Sequence, residues 1–256
     1  MKRAFDVLVA LLALALLAPL LTVIALAIWL GDRRSPFYFA RRVARGGGDF
    51  RMVKFRTMIP DAWKSGVNST ALGDSRITPL GASLRKAKLD ELPQLWNVLT
   101  GDMSLVGPRP QVRADADLYT REESRMLGVR PGITDVASIV FADEGEILSG
   151  SADPDLLYNQ IIRPWKSRLV LLYLDQRTFL RDVQILWITA LALLSRARAL
   201  RATALLLDAL GAGDELKAMA GRQRPLEAWP PPGADAIVEK YDSGRPVIGK
   251  EASAHA

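Results

Sequence analysis

The chain has 256 residues, enough for one core-bearing domain with appendages and short for two full domains. It has no cysteine, which excludes a disulfide framework and a zinc-thiolate site, and its single histidine, His255, sits next to the C-terminus, a poor place for catalysis. Lys and Arg outnumber Asp and Glu by 34 to 28, and the net charge of +6 suits nucleic acid, anionic lipid or a phosphorylated ligand equally. Any catalysis falls to carboxylates, Lys, Arg, Tyr or hydroxyls.

Residues 4–30 are almost continuously apolar, interrupted by Asp6 and Thr22. The run exceeds the ~20 residues that cross a bilayer, and it lacks the small-residue cleavage site of a signal peptide. Pro19 lies near its middle and removes one backbone donor. Lys2 and Arg3 precede the run; Arg33 and Arg34 follow it. Basic residues mark the cytoplasmic side of a membrane segment. Two readings stay open on these residues: a helix broken at Pro19 that returns to the leaflet it entered, and a spanning anchor with a proline kink.

Residues 33–58 hold eight Lys or Arg and one acidic residue, Asp49. They read as a basic surface for lipid headgroups or phosphate. Within them Pro36–Phe39 and Phe50–Phe55 read as strands around a turn at 46–49, with Lys54 and Arg56 on one face. Residues 61–79 read as a loop with a short helix, and residues 80–88 as a helix. A further helix is expected to start at Asp90-Glu91-Leu92-Pro93, with Leu92, Leu95, Trp96 and Leu99 as its apolar stripe and Gly101 as its C-cap. A short strand at 103–106 leads into Gly107-Pro108-Arg109-Pro110. Residues 111–128 read as a charged helix, 143–155 as an acidic loop, and 165–174 and 179–194 as two helices. The 179–194 helix is apolar over most of its circumference and suits a membrane interface or a domain core equally. Residues 222–256 are Pro/Gly-rich, then polar, and read as mostly disordered.

A helix start presents free N–H groups and partial positive charge, which keeps nearby carboxylates ionised and attracts phosphate. An ionised Asp90 in that place suits attack on phosphorus, and Glu91 suits Mg²⁺, which binds one or two carboxylates together with substrate phosphates. Helix capping alone accounts for the same pair. Arg109, fixed between two prolines, suits a bidentate phosphate clamp or a structural ion pair. With Arg130, Arg85, Lys54 and Arg56 it makes five cations, enough to neutralise a diphosphate if they converge.

The stretches KRAFDVLVALLALALLAPLL, RRVARGGGDFRMVKFRTM, LRKAKLDELPQLWNVLTGDMSLVGPRP, VRPGIT and YLDQRTFLRDVQILWIT occur in the order of a known family. Over roughly residues 2–195 the chain resembles the bacterial sugar transferases of the monotopic phosphoglycosyl transferase superfamily, whose small catalytic domain is PglC-like. The resemblance implies an α/β fold, mostly α with a small β element. It implies a re-entrant membrane hairpin at 1–32 and a compact cytosolic catalytic domain at 33–201 with interfacial amphipathic helices; the extension at 202–256 lies outside the resemblance and reads as partly disordered from its composition. It implies that Asp90 attacks a UDP-sugar and releases UMP, and that polyprenyl phosphate then takes the sugar-phosphate. Glu91, with Asp90, would hold Mg²⁺, and Lys54, Arg56, Arg85, Arg109 and Arg130 would lie near the phosphates. The implied place is the cytoplasmic face of the bacterial inner membrane, as a monomer or homodimer, at the first membrane step of a surface glycan or exopolysaccharide pathway. Two departures stand out. The helix break reads Ala18-Pro19 where Ser-Pro is common, and DVASIVFADE follows PGIT where many members read GWAQVNG. A membrane-surface adaptor and a metal-dependent phosphatase are the alternatives. The apolar anchor and the lack of a basic recognition helix argue against a nucleic-acid partner.

Overall fold

The computed structural model describes residues 1–62, 73–223, 225–242 and 245–248. Residues 63–72, within the polar stretch expected to hold a loop and short helix, and the tail from 249 lie outside the described residues. The described residues are mostly helical, with three two-stranded sheets.

Helix α1 (Lys2–Asp32) is long and apolar enough to cross a membrane, and Pro19 lies inside it. Both of its ends are fastened to the same domain. At the start, Lys2 Nζ donates to Asp182 Oδ2 at 2.6 Å and to Val106 O at 3.1 Å. Arg3 donates to Val98 O and Leu99 O, and buried Asp6 accepts from Ser104 Oγ at 2.8 Å. At the end, Ile24 and Ile28 pack on Phe55 and Leu84, and Arg56 grips Asp32 with two 2.7 Å bonds. Between these anchorages the helix stands away from the domain: Leu16, Ala18, Pro19 and Leu20 are exposed. Thr22 Oγ1 donates to Ala18 O at 2.9 Å. Such back-bonding from a Thr hydroxyl to the i−4 carbonyl bends helices.

Strands β1 (Phe37–Val43) and β2 (Asp49–Phe55) form an antiparallel hairpin, with Phe37 opposite and stacked on Phe55. Helix α2 (Pro79–Lys86) starts at Thr78, whose hydroxyl accepts from Gly81 N. A 3₁₀ turn, Leu89–Glu91, precedes α3 (Gln94–Thr100). The helix expected to begin at Asp90 thus begins after Pro93, and its buried face is Gln94, Leu95, Asn97 and Val98, while Trp96 is exposed. Asn97 is buried because it knits α3 to β2, accepting from Val53 N and donating to Arg51 O, both at 2.8 Å.

Strand β3 (Ser104–Val106) pairs in parallel with β4 (Gly132–Thr134), which brings GPRP beside RPGIT. A Cβ on Gly132 would lie 2.1 Å from Gly107 N, so this crossing requires glycine. Between the strands, the expected single charged helix breaks into α4 (Arg113–Ala116) and a 3₁₀ segment, Glu123–Gly128. The reason is local. Thr120 Oγ1 accepts from Glu123 N and Glu123 Oε2 accepts from Thr120 N, a reciprocal cap that starts a new turn.

Helices α5 (Val136–Val140), α6 (Glu144–Ile147) and α7 (Pro154–Leu157) follow, so the 143–155 segment is a loop at 148–153 with a helical turn on each side. Helix α8 (Arg163–Asp175) runs through the core, and α9 (Phe179–Leu194) spans the expected residues. Ile185 and Ile188 of α9 face inward, while Leu180, Trp187 and Leu194 are exposed. Beyond these come α10 (Arg196–Ala209), α11 (Asp214–Ala220) and the hairpin β5 (Val238–Asp242) and β6 (Arg245–Ile248). The described part of the tail lies on the domain: Trp229 packs on Trp165 at 5.2 Å, and Arg168 donates to Pro230 O at 2.8 Å.

Under this strap lies a fully buried ion pair. Glu123 accepts from Arg163 at both oxygens and from Ser167 Oγ at 2.6 Å, while Arg163 also donates to Asn159 Oδ1 and Leu118 O. Removing one partner of such a pair leaves a buried charge uncompensated, at a cost of about 3–5 kcal/mol. Arg163→Leu is therefore expected to lower the thermal midpoint of the purified protein in detergent, and the Arg163→Leu/Glu123→Leu double variant to recover part of the loss. An unchanged midpoint in the single variant would contradict a structural role.

Candidate functional site

Three separate segments meet at Glu91. Lys54 arrives from the end of β2, Glu91 from the 3₁₀ turn before α3, and Arg109 from the loop after β3. Lys54 Nζ donates to Glu91 Oε1 at 2.9 Å. Arg109 donates Nη1 to Oε2 at 3.2 Å and Nη2 to Oε1, a forked pair. The side chains of Glu91 and Lys54 are 16% and 18% exposed, so water screens the pair poorly. Burial alone would raise the Glu91 carboxyl, but Arg109 and Lys54 outweigh it and hold the group well below the usual glutamate range. Lys54 moves the other way: burial lowers it, and the attraction of Glu91 offsets this only in part. Glu91 and its hydrogen bond raise Arg109.

The Arg109 backbone is fixed from both sides. Pro108 and Pro110 restrict the chain, and Arg109 N donates to Asp135 Oδ2 at 3.1 Å. The other oxygen of Asp135 caps α5 by accepting from Ser138 N. Sequence reading missed Asp135 as part of this site. Its signal was an Asp-Val-Ala-Ser cap at the head of an apolar run.

Asp90 differs from its neighbour. It is 7% exposed, and among the described residues nothing hydrogen-bonds or ion-pairs with its carboxylate at contact distance. Burial and the charge of Glu91 raise its pKa, against the opposing pull of Lys54, Arg85 and Arg109. Asp90 sits on a 3₁₀ turn ahead of α3 rather than in the first turn of an α-helix, and burial is the largest influence on its carboxyl. Arg85 comes from the last turn of α2, with Nε donating to Thr57 Oγ1 at 2.9 Å. Helix α2 sits close because Gly81 rests on the Thr57 carbonyl, where a Cβ would lie 2.1 Å from the oxygen.

The five cations expected around a diphosphate do not all converge. Lys54 and Arg109 contact Glu91, and Arg85 lies within electrostatic reach of Asp90. Arg56 is committed to Asp32 and Ser35 O, at the end of α1. Arg130 donates Nε to Gly101 O at 2.8 Å, beyond the C-terminal end of α3. No group of three or more carboxylates or imidazoles suited to a metal is present among the described residues. Asp90 and Glu91 are adjacent carboxylates, and the unbonded oxygens of Asp90 suit a hard cation that takes its remaining ligands from phosphate.

Removing the Glu91 charge is expected to lower Lys54 further, because Arg109 then faces it without a counter-charge. Glu91→Gln should make Lys54 acylate faster than in the native protein at mildly alkaline pH, measured by mass spectrometry of its peptide. An unchanged rate would contradict the triad.

Comparison with known proteins matches residues 1–196 to the family described as bacterial sugar transferase. The chain is 36% identical over 174 residues to the UDP-N-acetylgalactosamine-undecaprenyl-phosphate N-acetylgalactosaminephosphotransferase of Aeromonas hydrophila, covering 66% of this chain and 41% of that protein. It is 42% identical over 148 residues to the exopolysaccharide production protein ExoY of Rhizobium meliloti (strain 1021), covering 52% of this chain and 66% of that protein. It is 39% identical over 178 residues to the UDP-glucose:undecaprenyl-phosphate glucose-1-phosphate transferase of Caulobacter vibrioides, covering 67% of each. The chain thus spans from under half to about two thirds of the length of these relatives.

Proposed function

Since the chain belongs to the bacterial sugar transferase family, we propose that it transfers a sugar-phosphate from a UDP-sugar to polyprenyl phosphate through a covalent intermediate on Asp90. The observation that carries this reading is the division of labour in the dyad. Glu91 has both oxygens engaged by Lys54 and Arg109, whereas Asp90 is buried with neither oxygen engaged among the described residues. A desolvated, unengaged carboxylate among cations has the character of a nucleophile toward phosphorus.

In the first step a carboxylate oxygen of Asp90 bonds to the β-phosphorus of the UDP-sugar. The bond from that phosphorus to the bridging oxygen breaks, and UMP leaves with the bond's electrons. In the second step a phosphate oxygen of the polyprenyl phosphate attacks the same phosphorus, and the Asp90 carboxylate is released. Lys54, Arg85 and Arg109 bear on the charge that develops on the equatorial oxygens. Mg²⁺ would be held through Asp90, since both oxygens of Glu91 are engaged, and would supply further positive charge to the diphosphate when bound. The names of the ExoY-type relatives favour exopolysaccharide as the destination of the product.

The acceptor is a membrane lipid, and α1 fits that use. A straight helix of 31 residues is about 46 Å long at ~1.5 Å per residue, more than a bilayer's hydrocarbon core. A perpendicular span would part its two ends by the whole membrane, yet both ends dock on one domain. A helix bent near Pro19 that dips into one leaflet and returns reconciles the two facts, and Leu16 and Leu20 at the turn are exposed for lipid. The outward residues Leu180, Trp187 and Leu194 of α9 suit the same interface. Basic residues at both ends favour the cytoplasmic face of the bacterial inner membrane for the domain.

The reaction is tested by incubating the full chain with undecaprenyl phosphate, Mg²⁺ and a panel of UDP-sugars. UMP release is expected with at least one sugar and none is expected from Asp90→Asn, whose fold should persist. No UMP from any sugar, or native turnover by Asp90→Asn, would overturn the reading. Because the chain lacks cysteine, Lys2→Cys and Arg34→Cys report topology directly. Both are expected to resist a membrane-impermeant maleimide in spheroplasts and to react after lysis. Labelling of position 2 alone in intact spheroplasts would establish a span.

A further inference from the structure

Glu144 is a further carboxylate within electrostatic reach of Arg109, in the DVASIVFADE stretch where the chain departs from the common pattern. Its Oε2 accepts from Lys166 Nζ, while its Oε1 carries no hydrogen bond among the described residues. The Glu144 side chain is 34% exposed and Lys166 only 13%. Lys166 is held from below, 5.5 Å from the Tyr158 ring and 5.9 Å from the Phe141 ring. Lys166 and Arg109 line one cavity of about 30 Å³, room for a water or two. Glu144 also lies within electrostatic reach of Arg109 and Lys88. The charges Lys54, Glu91, Arg109, Glu144 and Lys166 therefore alternate from one side of the site to the other.

A carboxylate with a free oxygen can only accept hydrogen bonds, and beside the cations of a phosphate site it repels the phosphates themselves. Its fitting partner is the part of the ligand that donates. On a nucleotide-sugar those donors are hydroxyls, or the N–H of an acetamido group. Glu144 is also braced from behind. Neighbouring Asp143 accepts from Arg196 at 2.8 Å and from Arg222 at 2.9 Å. Arg222 also donates to Val140 O and places its guanidinium 4.6 Å from the Phe141 ring. Arg222 lies beyond residue 196, where the family match ends.

We propose that Glu144 reads the sugar of the nucleotide-sugar donor, its Oε1 accepting from a sugar hydroxyl or acetamido N–H, and that Arg222 is a positioning residue acting through Asp143. The proposal rests on the transferase reading above, and it assigns a specificity role to chain outside the shared domain.

The test compares UDP with UDP-sugars. In Glu144→Gln, binding of UDP should stay unchanged. For the preferred sugar, kcat/KM should fall about tenfold, as expected when a charge-assisted hydrogen bond becomes a neutral one. Selectivity between epimers should narrow accordingly. Arg222→Ala should narrow it in the same direction with UDP binding intact. Unchanged selectivity in Glu144→Gln would overturn the proposal, as would an equal loss of UDP and UDP-sugar binding. Should the native protein release no UMP, the transferase reading fails separately, and binding still decides. UDP-sugar affinity above that of UDP, lost in Glu144→Gln, supports the role of Glu144; affinity that never exceeds that of UDP overturns it.

Discussion

The ion triad of Lys54, Glu91 and Arg109 is the interaction on which the rest of the site depends. It ties a strand end, a 3₁₀ turn and a proline-bounded loop that are far apart in sequence, and it does so where water screens poorly. Burial opposes the Glu91 charge, so the carboxylate is kept ionised by its two partners together. The same arrangement sets the character of Asp90. With the strong donors spent on Glu91, the neighbouring carboxylate is buried, unbonded among the described residues and raised in pKa. Two adjacent acidic residues are thereby shifted in opposite directions by environment alone.

Around this triad the backbone leaves little freedom. Gly107 and Gly132 let the two proline-containing segments cross in contact, and Asp135 holds the Arg109 amide while capping α5. Gly81 seats α2 on Thr57, which brings Arg85 to the site. The membrane helix is joined to the same framework. Arg3 caps the C-terminal carbonyls of α3, the helix that follows the dyad, and Asp6 bonds β3, which leads to Arg109. On the proposed topology, the membrane anchor and the reacting groups move as one body, which suits an enzyme whose acceptor arrives by lateral diffusion in the bilayer.

Much of this was legible in the sequence wherever the signal was local. The apolar run at 4–30, the hairpin around Gly46–Gly48, the 179–194 helix and the rigid Pro108-Arg109-Pro110 loop are each encoded within a few residues. Partner choice across long separations was not. Arg56 and Arg109 are both arginines near a predicted phosphate site, yet one pairs with Asp32 and the other with Glu91, and spacing does not distinguish them. The Glu123–Arg163 pair spans 40 residues and joins a supposed surface helix to the core. At Asp90 the helix boundary was misread because α3 begins after Pro93, which leaves the dyad on a 3₁₀ turn where burial raises the Asp90 carboxyl. The brace on Asp143 comes from Arg222, in a tail whose composition carries no periodic signal.

Covalent participation of Asp90 is the central claim, and mass spectrometry of the protein after incubation with UDP-sugar and Mg²⁺, without lipid acceptor, tests it most directly. The expected result is one added sugar-phosphate, mapped to the peptide that contains Asp90 and discharged when polyprenyl phosphate is supplied. UMP release that strictly requires the lipid, with no adduct at any time, would contradict the covalent route, and an adduct on another residue would contradict the assignment to Asp90.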